Sequence, residues 1–254
     1  MNIHGTASNF YEEYFIEVLT GKLAQQGVSM LSTNNRGTGV YDAWQGNGAA
    51  VEIFSDCLID INSWIEFALE QGYERIILSG HSLGTEKVIY YMTYGKYTDK
   101  VSALVLLAPA TSPGSEPILV KDYEEKLESA RVLIQEGKGK VFLDRNAYGG
   151  IMPKSAESYV DFSDLNPKFD DALPFHKKHL PSFGKIKIPI LAVIGDQEEY
   201  TVIPIKEALA LMRKENPDTK IIQISNCDHD FQKNEEKLSE ILIEFLKENN
   251  LCSR

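Results

Sequence analysis

Short apolar runs alternate with amphipathic stretches along most of this sequence, and this alternation restricts the fold more than any other feature. The runs are rich in β-branched residues and have the length of buried strands. They occupy residues 28–33, 75–80, 101–109, 188–196 and 220–225, and helical spacing of apolar residues marks 15–23, 54–69, 83–94, 203–215 and 238–245. Such alternation predicts an α/β fold in which a mostly parallel sheet carries helices on both faces.

The alternation stops over residues 111–185, which contain Pro and Gly breaks and one clear helix pattern at 121–136. We predict that this segment is a cap inserted into a core formed by residues 1–110 and 186–254. Most of its aromatic side chains are expected to pack the cap onto the core, and others could line an apolar acyl or aryl pocket. The aromatic residues of the segment are Tyr123, Phe142, Tyr148, Tyr159, Phe162, Phe169, Phe175 and Phe183.

One strand pattern runs directly into "LSGHSLGTEK", which contains Gly80, Ser82 and Gly84. The Gly-x-Ser-x-Gly pattern alone is weak evidence, because serine is also common in ordinary turns. Here the pattern follows a buried strand and precedes a helix, which is the context that a nucleophile elbow requires. We therefore predict that Ser82 is a catalytic nucleophile at the tip of a sharp turn.

A serine hydroxyl needs an adjacent base, and the base needs an acid that orients it. Where the nucleophile occupies such an elbow, the acid and then the histidine follow it along the chain. His229 lies in "NCDHDFQ", between the last strand and the last helix, and is the predicted base. The stretch "IGDQEEY", which follows the preceding strand, supplies Asp196, Glu198 and Glu199 as candidate acids.

The strand order and the elbow resemble the α/β-hydrolase superfamily over nearly the whole chain. Many members carry Gly-x-x-Asp after this strand, and the corresponding position counted from Gly195 is Glu198. The resemblance therefore implies Glu198 as the triad acid, with one methylene more than the usual aspartate. Asp196 is the alternative, because it has the commoner, shorter side chain although its spacing differs, and Glu199 is a third candidate.

An oxyanion hole needs backbone N–H groups directed at the developing negative charge. One should come from Leu83, the residue after the nucleophile. The stretch "NIHGTASNF" resembles the superfamily's first loop, which implies Thr6 as the second donor, with Ala7 next. The same stretch also fits a Gly turn that caps the first helix, with Ser8 or Asn9 as the N-cap. The two interpretations are compatible.

A more specific resemblance is to a family of fungal and bacterial hydrolases, some of whose fungal members are siderophore esterases. It is carried by "GTASNFYEEYF", "GHSLGTEKVIYY", "ARVLIQEGKGKVFL", "MPKSAESY" and "GDQEEYT". This resemblance implies cleavage of an ester or depsipeptide. The stretch "NNRGTG" resembles the superfamily's D-R-G-x-G turn, and we interpret it as structural.

The superfamily usually has two antiparallel strands before the strand that leads into the His-Gly loop, whereas His4 here follows only three residues. The fold is therefore expected to lack those strands, which makes the run at 28–33 a sheet edge, where a long apolar strand invites pairing or aggregation. The explanation that we favour is a mis-assigned start and a longer natural chain. Alternatively, a second copy fills the gap and forms a homodimer through the exposed edge, or the fold persists with a shortened sheet.

A chain of 254 residues can form one large α/β domain. Its net charge of −11 and its lack of a basic cluster argue against nucleic-acid binding. The sequence contains no recognisable signal peptide or membrane span, so a cytoplasmic location is expected.

Three scattered cysteines fit neither a disulfide framework nor a zinc site. The predicted chemistry needs no metal or organic cofactor, and the expected partner is a small-molecule acyl substrate.

Two function hypotheses from different classes follow. The leading one is a serine hydrolase that cleaves a carboxylic ester or related acyl bond through an acyl-enzyme, with thioesters, amides and acyl transfer left open. The alternative is a non-catalytic ligand-binding or interaction protein on a truncated α/β-hydrolase fold, since fold does not imply function. Labelling by a fluorophosphonate probe would separate them, because only the enzyme has a reactive Ser82.

Overall fold

A computed structural model describes residues 1–164, 171–198 and 200–252. Its strands are β1 (Asn2–Ile3), β2 (Ser32–Thr33), β3 (Ile76–His81), β4 (Val101–Leu107), β5 (Ile190–Gly195) and β6 (Lys220–Ile224). They form a six-stranded sheet in the order β2-β1-β3-β4-β5-β6, and every strand pairing within the described sheet is parallel. The predicted parallel sheet is thus confirmed.

Helices cover both faces of the sheet because side chains alternate between the faces along each buried strand. The helices are α1 (Tyr14–Ala24), α2 (Cys57–Glu70), α3 (Leu83–Tyr94), α4 (Ser112–Leu119), α5 (Tyr123–Gln135), α6 (Ala156–Ser163), α7 (Ile205–Glu215) and α8 (Glu235–Glu248). Val105 and Val193 pack with α1 and α8, whereas Leu104 and Ala192 belong to the apolar cluster that contains α2, α3 and α7. None of the helices in the described residues combines the length and hydrophobicity needed to cross a bilayer.

Residues 111–185 lie between β4 and β5 and contribute α4, α5 and α6. The sequence predicted only α5, because α4 contains Pro117 and α6 has only eight residues. Buried aromatic side chains of this segment share one apolar cluster with the sheet, as expected for most of them; Phe169 lies outside the described residues. The buried aromatic residues are Tyr148, Tyr159, Phe162, Phe175 and Phe183.

The first two strands are shorter than the sequence predicts. The expected strand at 28–33 is wrong in length, because only Ser32 and Thr33 are paired. Their partner β1 has two residues and lies between β2 and β3, so it cannot support a longer ladder. β2 is the sheet edge as expected, but the long apolar edge strand is not formed, and homodimerisation through this edge stays a prediction. A cavity of about 680 Å³ lies here, lined in part by Met1, residues 27–31 and residues 71–77.

Candidate active site

Ser82 connects β3 to α3 in a backbone conformation that non-glycine residues rarely adopt, with φ 54° and ψ −124°. The two flanking glycines make this turn possible. A Cβ on Gly80 would lie 2.2 Å from the Gly84 carbonyl oxygen, and one on Gly84 would lie 2.1 Å from the Ile3 carbonyl oxygen. The Ser82 N–H donates to the Leu107 carbonyl at 3.0 Å, which holds the turn against β4. The half-buried Ser82 side chain therefore stands at the carboxyl ends of the strands.

We expect Gly84→Ala to lower the free energy of unfolding by about 3 kcal/mol or more, because the new Cβ meets backbone that cannot move aside. Gly21→Ala is the matched control, since Gly21 lies in α1 and a Cβ there has no neighbour within 4 Å. The control should be neutral or gain up to about 1 kcal/mol. Urea unfolding measures both, and equal stabilities would contradict the steric account.

The loop after β1 lies directly against the predicted nucleophile. A Cβ on Gly5 would approach the Ser82 Cβ to 2.9 Å, so only glycine permits this contact. The adjacent Thr6 is half-buried, and Leu83 is the first residue of α3. N–H groups in the first turn of a helix have no partner within that helix. The two predicted oxyanion donors, Thr6 and Leu83, therefore belong to segments next to the Ser82 side chain.

The expectation that Ser8 or Asn9 caps α1 is wrong. The helix begins at Tyr14, and Glu13 occupies the N-cap without a side-chain cap bond. The Asn9 side chain instead accepts from the N–H groups of Tyr11 and Glu12 and closes a separate turn before the helix. This extra turn moves the helix start away from the Gly5 loop.

His229 lies in the loop between β6 and α8, and its Nδ1 is 2.7 Å from Oε2 of Glu198. The Glu198 side chain is 0% exposed, and its Oε1 accepts from the Tyr200 N–H at 2.8 Å. Because an ionised carboxylate can only accept, this contact places a proton on Nδ1 of His229. Nε2 of the neutral ring then keeps the lone pair that a general base needs.

Asp196 has a different environment from Glu198. Its Oδ1 accepts from the Cys227 N–H at 3.1 Å. Hydrogen bonds from the backbone of Asn226 and Cys227 hold the pKa of Asp196 below its ordinary value. The side chain thus fixes the turn that precedes His229, rather than the imidazole itself. Glu199, the third candidate acid, lies outside the described residues.

Residues 3–155 match a family model described as serine aminopeptidase, S33. The match spans more than half of the chain and contains the Gly5 loop, the Ser82 elbow and the start of the segment 111–185. The chain belongs to this α/β-hydrolase family. Glu198 and His229 lie beyond the matched residues, where they follow β5 and β6.

Solved structures with the same fold cover almost all of this α/β-hydrolase. Est1E from Butyrivibrio proteoclasticus with ferulic acid bound has a TM-score of 0.67 at 21% identity, covering 98% of this chain and 87% of that chain. A monoacylglycerol lipase from Paleococcus ferrophilus has a TM-score of 0.65 at 20% identity, covering 96% of this chain and 93% of that chain. The α/β-hydrolase GrgF from Penicillium has a TM-score of 0.70 at 13% identity, covering 98% of this chain and 88% of that chain. At these identities the similarity shows the fold. A comparison with curated proteins found no match.

His4 and the turn over residues 35–39 support the first loop of this α/β-hydrolase. His4 Nδ1 lies 2.8 Å from the Gly5 carbonyl oxygen, and the Asn35 N–H points to Nε2 at 3.0 Å. Burial lowers the pKa of His4 to about 4, so the ring is neutral at physiological pH, donating through Nδ1 and accepting through Nε2. This contact supports the structural interpretation of the "NNRGTG" turn.

His81 and Glu13 are neighbours of the site to which the sequence assigned no role. His81 Nδ1 lies 3.1 Å from Oε1 of Glu13, and its Nε2 lies 2.9 Å from the carbonyl oxygen of His229. These partners are 68 and 148 residues away along the chain, so no local pattern reveals the contacts. The only signal in the sequence is the position of His81 directly before Ser82.

Among the described residues, His81, His229 and Asp230 place potential metal-binding atoms within 4.8 Å of one another. Both ring nitrogens of His81 and Nδ1 of His229 are already hydrogen-bonded. A metal ion would have to displace these contacts, so we assign none to this group. That the reaction needs neither metal nor organic cofactor stays a prediction.

Proposed function

We propose that this α/β-hydrolase is a serine hydrolase that cleaves a carboxylic ester or a related acyl bond. The observation that carries the proposal is the buried Glu198 carboxylate, 2.7 Å from Nδ1 of His229. The two residues follow β5 and β6, and Ser82 follows β3, so all three lie at the same edge of a parallel sheet. This edge is the usual ligand side of an open α/β sheet.

In the proposed reaction, the Ser82 hydroxyl attacks the acyl carbonyl carbon while Nε2 of His229 takes its proton. Glu198 stabilises the resulting imidazolium. The N–H groups of Thr6 and Leu83 stabilise the negative charge on the carbonyl oxygen. The leaving alcohol takes the proton from His229 as the acyl-enzyme forms. Water then attacks the acyl-enzyme with His229 again as the base, which releases the acid and restores Ser82.

A carboxylic ester is the substrate class that we favour. Two proteins of similar fold support it, since one is a monoacylglycerol lipase and the other binds ferulic acid. The family description, serine aminopeptidase, makes an amide the main competitor. A matched series of p-nitrophenyl esters, thioesters and p-nitroanilides with equal acyl groups discriminates between these classes. A fluorophosphonate probe should label Ser82, and folded protein that is not labelled would contradict the serine mechanism.

We further propose that residues 111–185 form a cap that sets substrate choice. The first two residues of this segment, Thr111 and Ser112, contact neighbours of His229 and of Ser82. The Thr111 N–H donates to the carbonyl of Tyr200 at 3.1 Å, and the Tyr200 ring lies 4.7 Å from the ring of His229. On the other side, Ser112 donates to the Glu86 carboxylate, one helical turn after Ser82. The cap therefore begins beside the proposed base and nucleophile.

We expect Tyr148→Ala to change the ratio of kcat/KM between short-chain and long-chain esters by about tenfold, the scale set by one or two methylenes in an apolar pocket. Tyr148 is 6% exposed and interacts with Ser112 at the cap entry. Phe142→Ala is the matched control, because Phe142 is 38% exposed and its ring packs on Tyr41. The ratio should not change in the control. If the ratio of kcat/KM between short-chain and long-chain esters is unchanged in both variants, the cap does not influence substrate choice.

A further inference from the structure

A buried histidine–carboxylate pair joins two loops of the proposed site. Oε1 of Glu13 lies 3.1 Å from His81 Nδ1 and accepts from the Ser8 hydroxyl at 2.8 Å. Glu13 and Ser8 belong to the segment that continues from the Gly5 loop into α1, whereas His81 Nε2 reaches the carbonyl of His229 at 2.9 Å. The pair therefore connects the loop of the proposed oxyanion donor to the loop of the proposed base.

The partners of His81 determine its protonation. A carbonyl oxygen and a carboxylate oxygen both accept hydrogen bonds, so each ring nitrogen must carry a hydrogen, and His81 is an imidazolium. Burial lowers the pKa of His81, but Glu13, the His229 carbonyl and Asp230 together raise it above its ordinary value of 6.5. Burial raises the pKa of Glu13, but the charge and hydrogen bond of His81 and the hydrogen bond of Ser8 bring it below its ordinary value. Both directions favour the ion pair over two neutral groups.

The surroundings of His81 shield this pair from solvent, since the two side chains are 4% and 7% exposed. The rings of Phe15 and Phe231 lie 5.1 and 6.2 Å from the His81 ring and form apolar walls. The titratable groups that face His81 are Glu13 from the segment before α1, and His229 and Asp230 from the base loop. Burial between these rings leaves the His81 side chain little room to change its orientation.

We infer that His81 is a positioning residue of the proposed site. As a buried imidazolium, it holds the His229 backbone and the Glu13 loop at a fixed distance from each other. The inference rests on the proposed serine-hydrolase function. It assigns His81 no contact with substrate and no proton transfer in the reaction. Its effect is on the geometry of His229 and Thr6, which must be held within about half an ångström for efficient catalysis.

This role has a consequence for pH dependence. As pH rises through the raised pKa of His81, the ring keeps only one hydrogen, and one of its two acceptors loses its donor. The stability that the pair contributes is fully present between 4.5 and 6.5, the ordinary pKa values of glutamate and histidine, and is lost as pH rises through the raised folded-state pKa of His81. Turnover should therefore decline on the alkaline side as the two loops separate.

Glu13→Gln and His81→Phe test the inference in the full chain. In Glu13→Gln, the amide donates to Nδ1 of a neutral His81, whose Nε2–H still reaches the His229 carbonyl. This variant should keep its rate near neutral pH and lose the alkaline decline in kcat. His81→Phe removes both contacts and should lower kcat at least tenfold, with KM within twofold. The control pair is His179→Phe and Glu215→Gln, a surface contact of 3.3 Å in which His179 is 72% exposed.

The readouts are pH profiles of ester hydrolysis and the rate of fluorophosphonate labelling. A wild-type protein that is folded but not labelled overturns the proposed function. A labelled wild-type protein whose alkaline decline persists unchanged in Glu13→Gln overturns the positioning role alone. If His81→Phe fails to fold, the pH profile of Glu13→Gln decides the question. The two control variants should retain the wild-type profile.

Discussion

Replacement of Ser82 by alanine is expected to reduce ester turnover by about 10⁴-fold or more while leaving the fold intact. The side chain is small and half-buried, and the contacts that hold the turn are made by the backbone N–H and carbonyl of residue 82. Loss of the hydroxyl should therefore change the free energy of unfolding by no more than about 0.5 kcal/mol. Steady-state kinetics with a p-nitrophenyl ester and urea unfolding measure the two effects.

Ser63→Ala is a suitable control for this experiment. Ser63 is exposed on α2, and its hydroxyl donates only to the Ile59 carbonyl of its own helix. The control should match the wild-type protein in both rate and labelling by a fluorophosphonate. The assignment of Ser82 as the nucleophile would be wrong if Ser82→Ala kept more than a few per cent of the turnover and was still labelled as fast as the control.

Glu198→Gln is expected to lower kcat by about 10⁴-fold, because an amide can present its N–H₂ group to Nδ1 and favour the wrong tautomer of His229. Asp196→Asn should lower kcat less than tenfold, at a cost to stability of about 1 kcal/mol. Its side chain holds the Cys227 N–H, and the amide oxygen of asparagine can still accept that bond. Circular dichroism establishes that both variants are folded before their rates are compared. The opposite ranking of the two rates would transfer the role of triad acid to Asp196.

The central strands could be predicted from the sequence because a strand buried on both faces is apolar throughout its length. Both ends of each strand from β3 to β6 accordingly agree with the predicted runs to within two residues. β2 could not be predicted in length, because its extent depends on β1, a partner that contributes two residues. Strand length at a sheet edge is a property of the neighbour rather than of the segment itself.

Some features of the candidate site are likewise marked by neighbouring residues in the sequence, whereas others depend on distant segments. The Ser82 elbow carries a local mark in the sequence, and Gly80 is required by the Gly84 carbonyl within the turn itself, whereas Gly84 is required by the distant Ile3 carbonyl of β1. The environments of Asp196 and Glu198 depend on the path of the loop that follows β6, which spacing along the chain does not reveal. The contact between His81 and Glu13 joins residues 68 positions apart, and neither residue type marks the other.

The apolar cluster that the segment 111–185 shares with the sheet determines how the molecule unfolds. Tyr159, Phe162 and Phe175 bury their rings in the same cluster as Ile61 and Leu104. Detaching the segment would expose these rings to water, at about 25 cal/mol for each Å² of apolar surface. We therefore expect the segment to unfold together with the sheet as a single cooperative unit, rather than to swing away from it as a hinged lid.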